Sequence, residues 1–451
     1  MSDPQRRAAL DCVLAVEVDG AYANLAMPGI LRQARLGGRE AAFATELAYG
    51  ALRMSGLYDA VIAKAANRQP DSLDVTVRAV LWLGAHQALS MSTPTHAAVS
   101  ETVELAKAAG AGRASGLVNA VMRRIVERDR EAWLAVVAGG HGRAAVATRH
   151  SHPVWIVAEL ERSLAARGRA DEVELLLAAH NTPAAVTLAA RPGLADRNAV
   201  ARATGGEPTA LSPYGVTLGG GAPRGLADVD AGLVGVQDEG SQVVAAALTS
   251  DAARPSSPGE RWLDACAGPG GKTALLGAIA ARRGARVDAI ELHEHRARLV
   301  EQNIRALPPG VVTVHVGDST TWEGGPYDRI LLDAPCTGLG ALRRRPESRW
   351  RRTPEDLHDL TELQARLLRH AGRMLAPGGV IAYVTCSPVL SETTAIVAAS
   401  GLRRLDARAG IADVTGTDVD QWGPDMDVQM WTHVHGTDSM YLAMLTVDGA
   451  R

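Results

Sequence analysis

The chain has 451 residues and a mass of 47.2 kDa, about two to three times the usual domain length, which excludes a single small module. Its 47% hydrophobic and 22% charged residues exclude wholesale disorder, and no apolar run reaches the roughly 18 residues a membrane span needs. A net charge of -3 excludes a uniformly basic nucleic-acid binder, so such a partner would have to be met by local basic surface.

The N-terminal stretch MSDPQRRAALDCVLAV is interrupted at once by Glu17 and Asp19 and lacks the pattern of a signal peptide; a cytoplasmic location is expected. Cys12, Cys266, Cys336 and Cys386 are too few for a disulfide framework and have no metal-ligand spacing, so free thiols and no metal are expected. All but Lys64, Lys107 and Lys272 of the 47 basic residues are arginines, a coding bias from which no function is read.

Residues from about 5 to 137 read as helices. Segments 40–66, 75–91, 96–109 and 114–137 repeat Ala, Leu, Val and Met at three- and four-residue intervals, punctuated by Pro70, Pro94 and Gly110 to Gly112. The stretches AFATELAYGALRM (42–54), VRAVLWLGAHQAL (77–89), THAAVSETVELAK (95–107) and GLVNAVMRR (116–124) resemble the NusB domain, with Ser100 where that pattern usually has Asn. The resemblance implies an all-α bundle tied to RNA; without it, the stretch reads as a plain helical bundle that stabilises its neighbour.

Gly139 to Arg149 reads as a linker before a mixed α+β segment, about 150–245, with helical stretches at 154–166 and 172–179. VQDEGSQ (236–242) closes it as a polar helix start.

From about 260 strands and helices alternate: strands at 262–265, 287–292, 311–316, 329–333 and 380–385, helices at 272–283, 295–307 and 356–375. That rhythm predicts a parallel, doubly wound α/β sheet with ligands at the carboxyl ends of its strands. The first strand runs into Asp264-Ala265-Cys266-Ala267-Gly268-Pro269-Gly270-Gly271-Lys272-Thr273, a glycine turn that fails the spacing of both the Walker loop and GxGxxG. Asp264 and Glu291 are expected to meet two ribose hydroxyls; Asp318 and Asp333 end the next two strands. One such acid is commonly a helix cap, but four in register suit a ligand with ribose, amine and ammonium groups, S-adenosylmethionine before a dinucleotide.

Cys336 in DAPCTG and Cys386 in VTCSP follow neighbouring strands and are succeeded by turn residues, where a thiol can meet the crevice; Cys12 and Cys266 read as inert. Two thiols, an acid and a cofactor with a transferable methyl suit cytosine carbon 5, which becomes nucleophilic only after a thiolate adds to carbon 6.

DACAGPGGKT, AIE, GDS, DAPCTG, VTCSP and Gly436-Thr437-Asp438, in this order behind a NusB-like front, resemble the RsmB (Sun, Fmu) family of ribosomal RNA cytosine-5 methyltransferases. The resemblance implies an all-α domain over 1–140, a small α+β segment over 150–245 and a Rossmann-like methyltransferase domain over 246–451. It implies Cys386 as nucleophile, Cys336 as the thiol that assists proton removal or product release, and Asp333 on the target cytosine with Lys272 beside it. S-adenosylmethionine is then held by Cys266, Ala267, Gly268, Pro269, Gly270, Gly271, Lys272, Glu291, Asp318 and Asp333. Three departures stand out: Glu291 for the commoner Asp, Gly268 for Ala, and Thr393 for Asn.

After Cys336 comes LRRRPESRWRR, whose Arg343, Arg344, Arg345, Arg349 and Arg351 are expected to bind RNA phosphate, with Trp350 to stack on an unpaired base. Small-subunit ribosomal RNA is the expected partner of a monomer without membrane contact. A non-catalytic RNA-binding assembly factor would keep the bundle and arginines without needing both thiols. A DNA cytosine methyltransferase would place its nucleophile at Cys336, and a nicotinamide oxidoreductase fails on glycine spacing.

Overall fold

The computed structural model describes residues 3–219, 223 and 225–447; the outermost ends of the expected domains, 1–2 and 448–451, lie outside them. Two compact units emerge, Met1–Pro183 with Leu342–Arg352, and Ala184–Ala341 with Thr353–Arg451. The backbone therefore crosses from one unit to the other three times. The expected boundaries at 140 and 245 differ from this division: the helices of 143–180 belong to the first unit and the strands after 184 to the second.

The first unit is helical. Pro4–Glu17, Gly38–Arg53, Ser55–Ala66, Val75–Leu89, Thr95–Ala106 and Ser115–Ile125 turn Leu10, Leu47, Ile62, Leu83, Leu105 and Val121 into one core, as the three- and four-residue apolar spacing requires. Two stretches expected to be continuous are broken. One breaks at Met54, which leaves helical geometry with φ −103° and ψ 14°. The other breaks ahead of Arg130–Ala138, where the Asp129 side chain accepts from the Ala132 N–H at 2.8 Å and starts a new helix. Part of the expected linker is the helix Arg143–Arg149. Val154–Ala165 and Val173–His180 follow.

The second unit carries two sheets. The smaller holds β1 (Thr187–Ala190), β2 (Glu207–Pro208), β3 (Gly215–Thr217) and β4 (Val234–Val236), all antiparallel, in the order β2-β3-β1-β4. Arg191, buried directly after β1, donates to the carbonyls of Gly232 and Asn303 and so ties this sheet to the helix Glu294–Ile304.

The larger sheet holds β5 (Arg261–Asp264), β6 (Arg286–Glu291), β7 (Val312–Val316), β8 (Tyr327–Asp333), β9 (Leu375–Thr385), β10 (Arg403–Leu405), β11 (Val428–Gln429) and β12 (Tyr441–Thr446). Its order is β10-β12-β9-β8-β5-β6-β7, with β11 beside β12. β5 to β9 are parallel, whereas β12 pairs antiparallel with β9, β10 and β11. The five expected strands are thus parallel, and strands the sequence reading did not place, β10, β11 and β12, make the sheet mixed. β12 is buried along its whole length, and a buried strand reads as an unbroken apolar run whichever way it points.

The order reverses between β5 and β8, leaving a crevice at the strand ends. Asp333 is in register with Val384, so the chain leaves β8 and β9 at the same level, into Cys336 and Cys386 respectively.

Candidate active site

The turn after β5 is shaped by what its glycines lack. Gly270 sits at φ +108°, and a Cβ there would lie 2.8 Å from Val300 Cα; only glycine serves. It precedes the helix Gly271–Arg283, whose N-terminus has no side-chain cap, so its first N–H groups keep their affinity for an anionic ligand.

The strand-end acids divide in a way the spacing did not show. Asp264 is fully buried, and its Oδ2 accepts from the Thr273 hydroxyl at 2.7 Å, tying strand to helix. It does not reach out to a ribose, a correction to the expectation, because the turn folds over it. Burial, eased by the Thr273 bond and reinforced by the Asp333 charge, pushes its carboxyl up to about 7. Glu291 is 4% exposed; Oε2 accepts from the Gly268 N–H at 3.1 Å and Oε1 from the His293 N–H at 3.0 Å. Asp318 is exposed, held low by the N–H and hydroxyl of Thr320.

Lys272, on the first turn of its helix, reaches Asp333 across 2.7 Å. Burial opposes its charge, but Asp333 outweighs that, and the ammonium is raised, with a further contribution from Cys386. The thiols of Cys336 and Cys386 lie 3.4 Å apart. Cys336 is raised well above an ordinary thiol, first by its bond to Cys386 and then by burial, Glu392 and Asp333. The two sulfurs lie within hydrogen-bonding distance, and either thiol can be the donor. Burial pushes up Cys266 and also Cys12, the latter to about 12, which makes both poor nucleophiles.

The arginine-rich segment after Cys336 belongs to the helical unit. Arg349 is fully buried; it donates to the Asn181 Oδ1 at 2.8 Å and the Ser151 carbonyl at 3.0 Å. RNA contact by Arg349 is thereby corrected: its guanidinium is enclosed by backbone carbonyls. Arg351 likewise donates to the carbonyls of Val16, Gly20 and Ala21. Arg345 and Arg351 both lie over the Tyr22 ring, at 5.2 and 5.1 Å, with Arg345 exposed. Trp350 is 44% exposed, and Arg343 and Arg344 are half-buried.

Several residues at the thiols were not singled out by spacing. Gln364, buried on the helix Pro354–Met374, donates to the Pro335 carbonyl at 2.8 Å. The Gly340 N–H donates to the Cys386 carbonyl at 2.9 Å, and a Cβ at 340 would meet the Ser439 carbonyl oxygen at 2.3 Å. Gln364 left a trace in the sequence: it interrupts the apolar stripe Leu357, Leu367, Leu368, Ala371, and a polar residue in such a stripe needs a buried partner. Among the described residues no group of His, Cys, Asp and Glu could hold a metal ion, and no helix is long and apolar enough to cross a membrane.

Residues 254–446 match the family model described as 16S rRNA methyltransferase RsmB/F, and residues 3–127 that of the NusB family. A Mycobacterium tuberculosis protein named as a methyltransferase is 46% identical over 98% of this chain and 96% of its own. The ribosomal RNA small subunit methyltransferase B of Pseudomonas putida is 32% identical over 98% of both chains. Among solved structures, PH0851 shares the fold over 99% of both chains at a TM-score of 0.81 and 20% identity. NSun6 from Pyrococcus horikoshii, solved with SFG, an analogue of S-adenosylmethionine, covers 64% of this chain and 97% of its own at a TM-score of 0.52 and 18% identity. With the glycine turn, the paired thiols and the helical N-terminal unit in one chain, these relationships are decisive: the protein belongs to the RsmB/F family of S-adenosylmethionine-dependent 16S ribosomal RNA methyltransferases.

Proposed function

We propose that the protein methylates carbon 5 of a cytosine in small-subunit ribosomal RNA through a covalent bond from Cys386 to carbon 6. The observation that carries this reading is the 3.4 Å approach of Cys386 and Cys336 at adjacent strand ends, beside the Lys272–Asp333 pair. The 32% identity to an enzyme named for the small-subunit RNA supports the substrate.

The residues that would hold S-adenosylmethionine are the turn Cys266–Lys272 with Glu291, Asp318 and Asp333. The uncapped helix start suits its carboxylate, and the exposed acid of Asp318 suits its polar groups. Bound there, it supplies a methyl group on a positively charged sulfur.

The Cys386 thiolate adds to carbon 6, and the electron pair of the 5,6 double bond moves into the ring, where the Asp333–Lys272 pair supplies the proton taken up at the ring nitrogen. Carbon 5 of the resulting enamine takes the methyl group. The electron pair of the broken carbon–sulfur bond stays with the departing sulfur. Bonding at carbon 6 also takes from Cys336 its bond to Cys386, the largest of the influences that raise its thiol, ahead of burial. Cys336, its own proton passed to solvent, takes the carbon 5 proton; the electron pair re-forms the 5,6 double bond as Cys386 leaves as thiolate, and the ring nitrogen returns its proton to the Asp333–Lys272 pair.

Arg345 and Trp350 are the members of the basic segment most open to RNA, a phosphate contact and a stacking surface.

The test is transfer of labelled methyl from S-adenosylmethionine to free small-subunit RNA and to small-subunit particles, followed by digestion to nucleosides. Label in 5-methylcytidine is expected; label in any other nucleoside, or in neither substrate, contradicts the proposal.

A further inference from the structure

The loops that carry the two thiols share one buried carboxylate, which the chemistry above leaves unused. Glu392 has no exposure to solvent. Its Oε1 accepts from the Thr337 N–H at 2.7 Å and from the Gln364 Nε2 at 3.1 Å, and its Oε2 from the Thr337 hydroxyl at 2.5 Å. The Ser387 hydroxyl also bonds the carboxylate and lies 3.2 Å from that of Thr337. Thr337 follows Cys336 directly, and Ser387 follows Cys386 directly.

From this arrangement we infer that Glu392 is a positioning residue for the methyl-transfer reaction: its carboxylate clamps the Cys336 loop to the Cys386 loop and sets the distance between the two sulfurs. The inference rests on the covalent-thiolate reading for its catalytic consequence, but the geometry it assigns is independent of that reading.

Two features favour a clamp over a merely tolerated buried acid. A carboxylate without donors in such a place would be costly, and here backbone, amide and hydroxyl donors from three separate segments converge on it. The backbone carbonyl of the same residue accepts from the Tyr383 hydroxyl at 2.8 Å, and Tyr383 lies on β9, three residues before Cys386. The anchor is therefore fixed to the strand that delivers one thiol, while its carboxylate grips the loop that delivers the other. Burial raises the Glu392 carboxyl and the hydrogen bonds oppose that rise, in keeping with a group that serves as an acceptor.

The two oxygens also differ in what they face. Oε1 meets the Thr337 N–H and the Gln364 amide, whereas Oε2 meets the Thr337 hydroxyl, and a hydroxyl can turn round and accept. An amide in place of the carboxylate can put its oxygen on the first side and its NH2 on the second, so Glu392→Gln is expected to keep the clamp and Glu392→Ala to lose it.

The experiment compares wild type, Glu392→Gln, Glu392→Ala and Thr337→Val by thermal unfolding, by kcat and KM, and by affinity for phenylarsine oxide. That reagent forms two arsenic–sulfur bonds with a close pair of thiols and releases water, so it reads the Cys336–Cys386 separation without turnover. Expected for Glu392→Ala is a fall in kcat of about ten- to a hundredfold with KM for S-adenosylmethionine within about twofold, in line with the sensitivity of reacting groups to displacements near 1 Å. Its arsenical affinity should fall about tenfold, Thr337→Val should move both readouts the same way by a smaller factor, and Glu392→Gln should stay within about threefold of wild type.

Wild-type kcat and arsenical affinity in Glu392→Ala would overturn the inference. If that variant does not fold, wild-type values in Thr337→Val overturn it. A Glu392→Gln variant that folds but behaves as Glu392→Ala would overturn the clamp as drawn. Should Cys386 prove dispensable for methyl transfer, the covalent reading fails while arsenical affinity still judges Glu392, so the two failures are told apart.

Discussion

Gly268 and Glu291 fit each other as a pair. A Cβ at position 268 would lie 2.1 Å from Glu291 Oε2, the same oxygen that accepts from the Gly268 N–H. The two departures from the pattern implied by the sequence resemblance, Glu for Asp and Gly for Ala, are thus one change in space: the longer acid occupies the room a methyl at 268 would need. The carboxylate stays at the end of β6 and shapes the glycine turn from behind.

The pair should behave as a coupled unit. Gly268→Ala forces Glu291 from its place and should weaken S-adenosylmethionine binding about tenfold, while Gly268→Ala with Glu291→Asp should recover most of the loss, a coupling of about 1 to 2 kcal/mol. Calorimetric titration of the single and double variants measures it. Additive losses would show that the two positions act separately.

Lys272 and Asp333 form a part-buried ion pair, so removing one partner strands the other's charge. Lys272→Met should lower kcat about a hundredfold, the scale of a lost proton-transfer group, and Lys272→Arg should not restore it because the planar guanidinium cannot occupy the place of a compact ammonium. Steady-state kinetics with both variants checks this.

Asp264 links stability to pH. Its carboxyl is pushed up to about 7 in the folded chain from an ordinary 3.8, so between these values the folded state holds a proton that the unfolded state has released. Its contribution to stability is full below the unfolded value and is lost as pH rises through the folded one. Asp264→Asn keeps an acceptor for the Thr273 hydroxyl and cannot ionise. Its melting temperature should fall less than that of wild type between pH 5 and pH 8, by scanning calorimetry at both; parallel slopes would exclude this role.

Arg349 stabilises the helical unit. Arg349→Met leaves the Ser151 carbonyl and the Asn181 amide oxygen without their buried donor and should cost about 3 kcal/mol, whereas Arg345→Ala, at an exposed stacking position, should cost less than about 1 kcal/mol. Chemical unfolding separates the two, and RNA affinity at several salt concentrations should respond to Arg345 alone.

What the sequence makes legible follows from chain-local chemistry. Cys336, Cys386 and Asp333 stand where an apolar strand gives way to a turn, Lys272 opens the helix after the glycine turn, and their juxtaposition follows once neighbouring strands are parallel. Arg349 was indistinguishable from its neighbours, because a run of arginines does not say which one faces inward. The burial of Asp264 depended on the turn closing over it, and the grip of Glu392 on Thr337 spans 55 positions, a contact no local pattern carries. The antiparallel return of β12 was hidden for the same reason: burial on both faces erases the alternation that would mark its direction.

The covalent role of Cys386 is tested most directly by incubating Cys336→Ala and Cys386→Ala proteins with S-adenosylmethionine and small-subunit RNA and resolving each on a denaturing gel. Cys336→Ala should accumulate a protein band bonded to RNA that carries the transferred methyl, and Cys386→Ala should form no such band and no 5-methylcytidine. A methylated product from Cys386→Ala, or a covalent band that requires Cys336 in place of Cys386, would contradict the assignment.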